Sequence, residues 1–347
     1  MERVARRLLF NGECLKMAEG RTTVAKSENV LIEAGECAVT VLPHFGGKIA
    51  SIRVGQVELL QAPLAPVAPR TQTMAFDEGD GSGWDECLPS VAACSVQTSA
   101  GTAEIPDHGD LWRVEWVRQG SDNREHGLTG RPADSLNLLG KCFSLPLEVE
   151  RAIHLAEVER GWRLKLSYRV RNCGKYSVPW SWAAHPLFRC ENGDRIQLPQ
   201  SIHRLKVEGS GGERLGKSGS SVTWPVTALK AGGTADLSVA GRADSGVGDK
   251  LFAGPLNATE NWCALERVQA GLRIRVQFDT AATPYLGLWI CYGGWPEGPG
   301  PKQVCVAMEP STAPVDSLAV KGRWSRELAP GESFSWPMEV EIERVER

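Results

Sequence analysis

Nowhere in the chain do about 18 apolar residues follow one another, the length a membrane-spanning helix needs. The basic opening MERVARRLLFNGECLKMAEGR has only LLF as an apolar centre, too short for a secretory signal. Charge of one sign is also lacking: 39 Lys and Arg stand against 42 Asp and Glu, giving a net charge of -3 with no long block of either. These absences speak against a nucleic-acid surface and a polybasic membrane patch. They leave a cytoplasmic protein with a small, neutral or weakly charged partner as the expectation. The ten cysteines (14, 37, 87, 94, 142, 173, 190, 263, 291 and 305) include no CxxC pair and no tight framework. They read as reduced thiols that behave as small buried hydrophobes.

A helical stripe is missing as well, since no window of a dozen residues repeats apolar positions at 3.6. The repeat present is two. Residues 162–170 (WRLKLSYRV) put Trp162, Leu164, Leu166, Tyr168 and Val170 on one face and Arg163, Lys165, Ser167 and Arg169 on the other, the pattern of a half-buried strand. Residues 272–278 (LRIRVQF) and 334–345 follow the same rule. Between such runs lie turn signals supplied by 37 Gly and 21 Pro, so the chain reads as all-β, a sandwich or barrel of many short strands. At 347 residues it is long enough for one large β domain or two smaller ones. No Ser/Gly linker divides it and no internal repeat is evident. We read residues 1–27 as an N-terminal extension, 28–347 as one domain, and the loose stretches 119–132 and 230–249 as surface excursions.

Three side chains stand out chemically. Glu309 follows the apolar run VCVAM and precedes a proline-punctuated turn, and an ionised acid in such company is costly unless it is paired. His108 lies in IPDHGDLW and His185 in PWSWAAHPLF. A carboxylate with two imidazoles suffices for proton shuttling near neutral pH. The bland alternatives are a solvated turn for His108 and a buried, backbone-bonded imidazole for His185. The acidic stretch FDEGDGSGWDE at residues 76–86 evokes calcium or paired glycosidase acids, but its ligand positions and glycine are out of register for an EF-hand loop. A zinc site from His108, His185 and Glu309 lacks any local ligand pair such as HExxH. With 12 tryptophans, most belong to a core, and Trp289 and Trp182 are candidate flat platforms for a sugar.

The succession PHFGGKIASIRV, GWDECLPS, IPDHGDLWR, NCGKYSVPWSWAAHPLF, YLGLWICYGGWP and MEPSTAPVDSL resembles the galactose mutarotase-like (aldose 1-epimerase) superfamily over residues 28–345. The resemblance implies a large two-sheet antiparallel β-supersandwich. It implies His185 as general acid, Glu309 as base and His108 as a sugar-holding residue, with no metal, nucleotide or other cofactor. The chemistry fits those residue types: an aldose ring opens when its anomeric hydroxyl loses a proton while the ring oxygen gains one, and a carboxylate and an imidazolium suit the two tasks. The resemblance also implies Trp84 at a sugar face and Asp85 or Glu86 at sugar hydroxyls, with a solvated turn as the plainer reading of that segment.

The match departs from the better-known galactose mutarotases at three points. Only Arg70 stands where they carry an asparagine–arginine pair, Ala184 rather than asparagine precedes His185, and their late sugar-binding aspartate has no clean counterpart, Asp249 in GDKLF being the candidate for it. The chain thus resembles a divergent branch. The expected activity is interconversion of the anomers of a sugar or sugar derivative by a monomer or homodimer. A carbohydrate-binding protein without turnover is the alternative, and a hydrolase or lyase on the same scaffold a lesser one, because fold does not fix function.

Overall fold

The computed structural model describes residues 29–119 and 134–345. The extension expected over residues 1–27, and all but the first residue of the 119–132 excursion, lie outside the described residues. Alternation of burial follows the sequence pattern closely. Strand Gly161–Asn172 buries Trp162, Leu164, Leu166, Tyr168 and Val170 and turns its basic residues outward. Leu272–Phe278 and Ser333–Arg344 behave likewise and pair antiparallel with each other, while Gly161–Asn172 pairs with Ser333–Arg344 on its other edge.

These strands form the middle of an eight-stranded sheet. An eleven-stranded sheet faces it, running Val30–Ala34, Cys37–Leu42, Lys48–Val54, Trp84–Cys87, Ala183–Arg189, Val304–Ser311, Tyr285–Tyr292, Val247–Ala253, Arg204–Ser210 and Ser221–Thr223, with Val57–Glu58 at an edge. Every pairing within both is antiparallel. One continuous core takes Leu164, Ile274 and Val340 from the smaller sheet and Ile52, Leu288 and Met308 from the larger. This is the two-sheet sandwich that the period-two pattern calls for, since each sheet must bury one face.

The 230–249 stretch is more ordered than a surface excursion: it holds the short strand Thr234–Asp236, and its last residues already belong to Val247–Ala253 inside the large sheet. Nine described cysteines are free thiols, six of them buried, with Cys173 exposed. Among the described residues no helix is long and apolar enough to cross a membrane.

Candidate functional site

The outer face of the large sheet carries the site, and strand register decides which residues reach it. Asp85 pairs with His185, and the register that joins Ala183 to Ser311 and Leu187 to Ala307 sets His185 across from Glu309. Glu309 in turn pairs with Gly287, and Gly287 with Phe252. The next row of the same face runs Leu187, Ala307, Trp289 and Lys250. Four strands distant in sequence thus line up acid, imidazole, indole and amine on one surface, because successive residues of a strand point to opposite faces.

His108 arrives from outside the sheet. Its backbone is left-handed, with φ of 58°, a rare state for a non-glycine residue and one that clusters at functional positions. Gly109 follows at φ 68°, and a Cβ there would lie 2.3 Å from the Leu88 carbonyl oxygen. Asp110 fixes the turn by accepting from the amides of Phe143 and Ser144 at 3.0 and 2.8 Å. The His108 ring stacks on Phe76 at 3.6 Å between centroids, stands edge-on to His185 at 5.1 Å, and its Nδ1 sits 2.8 Å from Asp107 Oδ2.

These groups surround a cavity of about 380 Å³ walled by Phe76, Trp289 and Trp295, with His108, His185, Lys250, Gln303, Asp77, Asp107 and Asp316 supplying polar atoms. Glu309 is not among the lining residues; it is 1% exposed and lies directly behind two of them, His185 and Lys250. Its Oε2 accepts from Lys250 Nζ, while Oε1 has no hydrogen-bond partner and lies 3.9 Å from His185 Nε2. Lys250 is also 3.5 Å from Asp316 Oδ1. Burial raises the Glu309 carboxyl, with Lys250 opposing the rise. Burial holds His185 well below the usual histidine range, and nearby His108, Lys250 and Lys48 push the same way. Burial would lower Lys250, but Asp316 and Glu309 outweigh it and hold its proton firmly. Burial thus favours the neutral imidazole at His185, where a charged ring would be desolvated beside the Lys250 ammonium.

The structure brings His108, His185 and Trp289 together around this cavity, with Glu309 behind His185. Trp289 is half-buried, with its Nε1 donating to Gln303 Oε1 at 3.0 Å. The remaining candidates do not line the cavity, each for a physical reason. Trp84 is wholly buried in the core beside Phe188, so its ring has no face to offer a sugar. Glu86, on the same inward side, accepts from Arg151, Tyr168 and Trp182, which also takes Trp182 out of contention as a platform. Asp85 is on the cavity side of its strand but is 2% exposed and bound to Lys48 and Arg70, each at 2.9 Å. Arg70 is spent on Asp85, Asp80 and two carbonyl oxygens, anchoring the stretch that carries Phe76. Asp249 points inward to Arg214 and Ser210, and its neighbour Lys250 takes the outward position.

Sequence reasoning missed Lys250, Gln303, Asp316 and Phe76. Only Lys250 gave a signal, a charge opening the apolar run LFA. Among the described residues no group of three or more His, Cys, Asp or Glu side chains is arranged to hold a metal ion.

No family model and no curated protein matches the sequence. Solved structures do match the fold. A putative aldose 1-epimerase from Escherichia coli K12 is 17% identical with a TM-score of 0.61, covering 92% of this chain and 99% of its own. A galactose mutarotase-like protein from Lactobacillus casei ATCC 334 is 15% identical with a TM-score of 0.56, covering 91% and 100%. A GalM/aldose epimerase homologue from C. elegans is 11% identical with a TM-score of 0.58, covering 92% and 99%. The chain has the galactose mutarotase-like fold.

Proposed function

We propose that the protein interconverts the anomers of an aldose by acid–base ring opening. The observation that carries this reading is the unengaged Glu309 Oε1 3.9 Å from His185 Nε2, just behind a cavity of about 380 Å³ that His185 and Lys250 line, within the range of small-ligand pockets. Glu309 takes the proton of the anomeric hydroxyl as the bond between the anomeric carbon and the ring oxygen opens and a proton reaches that oxygen. Rotation about the bond beside the new carbonyl carbon and closure by the reverse steps give the other anomer. His185, neutral, offers the ring oxygen an N–H, as neutral imidazoles do where burial denies them charge. His108 and the aromatic walls hold the ring.

An uncharged sugar fits better than a sugar phosphate, because Asp77, Asp107 and Asp316 line the cavity and no arginine among the described residues does. Hydrolysis needs a second working carboxyl near the first, and the two that the sequence offered for that task, Asp85 and Glu86, are both committed to cations. The test is polarimetry on freshly dissolved aldoses with and without the protein: equilibration speeds up, and EDTA leaves the rate unchanged. The tight Lys250–Glu309 pair favours a second reading, a sugar-binding protein in which the carboxylate is locked. Flat traces with sugar-dependent thermal stabilisation would select it.

A further inference from the structure

Resting on the mutarotase reading, we propose that Lys250 carries the proton that reaches the sugar ring oxygen. Its Nζ bonds Glu309 Oε2, and its side chain lines the cavity with 11% exposure. The two sugar oxygens that exchange protons share one carbon atom, so acid and base must lie side by side, as Lys250 and Glu309 do. Gly287 keeps the space beside the carboxylate free: a Cβ there would lie 3.0 Å from Glu309 Oε2 and 3.3 Å from the Phe252 ring. The groups facing Lys250 are Glu309 and Asp316 at and beyond the strand Val304–Ser311, Glu208 from Arg204–Ser210, Cys87 from Trp84–Cys87 and His185 from Ala183–Arg189, with the Phe252 ring 5.5 Å away.

The pairing explains how a firmly protonated amine becomes an acid at the right moment. When Glu309 Oε1 accepts the anomeric proton, the carboxylate loses the charge that held the ammonium, and a buried ammonium short of a partner gives up its proton readily. The electrons of the breaking carbon–oxygen bond pass to the ring oxygen, which takes the Lys250 proton. Glu309 is then neutral acid, Lys250 neutral amine and the sugar an open aldehyde. Closure on the other face returns a proton from the ring-forming hydroxyl to Lys250 and one from Glu309 to the anomeric oxygen. Nothing else is consumed.

The experiment measures kcat by polarimetry across pH for wild type, Lys250→Arg, Lys250→Met and Lys250→Ala with added ethylamine or trifluoroethylamine. Arginine keeps the charge and the contact to Glu309 but does not release a proton. Expected are a fall of roughly 10²-fold to 10⁴-fold in both Lys250→Arg and Lys250→Met, partial recovery of Lys250→Ala by the amines, and wild-type activity that persists above pH 8. Arginine restoring near-wild-type kcat, absence of amine rescue, or a wild-type rate that declines as pH rises through the range below histidine's ordinary value would each overturn the proposal. The imidazole would then be the acid. Wild-type and Glu309→Gln controls separate this from the underlying reading: activity lost in Glu309→Gln but kept in Lys250→Arg sinks only the lysine, whereas a wild type inert on every aldose sinks both. Should Lys250→Met fail to fold, the arginine variant and the wild-type pH profile still decide.

Discussion

Replacing Glu86 by glutamine tests the side chain whose surroundings differ most from the sequence expectation. Its carboxylate and the Arg151 side chain are both fully buried. Oε1 accepts from Arg151 Nη1 at 3.0 Å and from the Tyr168 hydroxyl at 2.9 Å, and Oε2 accepts from Trp182 Nε1 at 2.9 Å. The guanidinium also lies 4.9 Å over the Trp116 ring and donates to the Gly47 carbonyl, so it has nowhere wetter to go. Glutamine keeps the shape but leaves that cation without a counter-charge, and it sets an amide N–H donor against one of the three existing donors. Breaking a buried ion pair from one side costs about 3–5 kcal/mol. At roughly 2 °C per kcal/mol for a large domain, Tm falls by roughly 6–10 °C. Differential scanning calorimetry reads the fall, and polarimetry at 25 °C reads KM for the best aldose, which should not move. A Glu86→Gln protein that melts within about 1 °C of wild type, against the cost expected for a buried pair, would refute the reasoning. So would a raised KM at unchanged Tm, which would return Glu86 to the sugar site. The double change Glu86→Leu with Arg151→Met removes both charges together and should recover most of the loss, the non-additivity expected of contacting partners.

Within the cavity, Glu309→Gln should lower kcat by roughly 10²-fold to 10⁴-fold. His185→Leu, which removes a hydrogen-bond donor rather than a proton source, should cost roughly 10²-fold to 10³-fold. His108→Asn should raise KM and lower kcat together, as both ring stacking and sugar contact go. Gly287→Ala forces Glu309 aside by a few tenths of an ångström and should cut kcat about tenfold with Tm nearly unchanged. The pH response has two signs to check. Burial raises the Glu309 carboxyl, so kcat fails as pH falls, and does so above the ordinary glutamate range. His185 is lowered by burial, so the unfolded chain takes up its proton first: stability is present above the ordinary histidine value of about 6.5 and declines as pH drops below it. Urea titrations at pH 7.5 and 5.5 check the latter.

Much of the fold is legible because its eight-stranded sheet is half-wet. Strands such as Gly161–Asn172 alternate apolar and basic residues, so period and face are both written in the sequence. Glu309 is legible for a related reason, a lone acid where apolar side chains should be. The other site strands are covered on both sides, by the core beneath and by the cavity and its loops above, and such strands read as continuous apolar runs. WDEC, AAHPLFR, LFA and VCVAM keep no alternation from which to tell inside from outside.

That loss of parity accounts for the particular mistakes. In the strand Val247–Ala253 the sequence offers Asp249 and Lys250 side by side, and a shift of one residue exchanges their faces. The register Lys250 to Trp289 and Leu251 to Leu288 settles it: Leu251 shares the inward face with Asp249, and Lys250 shares the cavity with the indole. The same one-residue step separates Glu86 inside from Asp85 outside, and Asp85 is then removed from contact by Lys48 and Arg70, which come from segments 37 and 15 residues away. Partners so distant leave no local pattern, so a charged residue in such a strand is a marker that ions are buried nearby. Only the pairing register says whether it faces a ligand or a counter-ion.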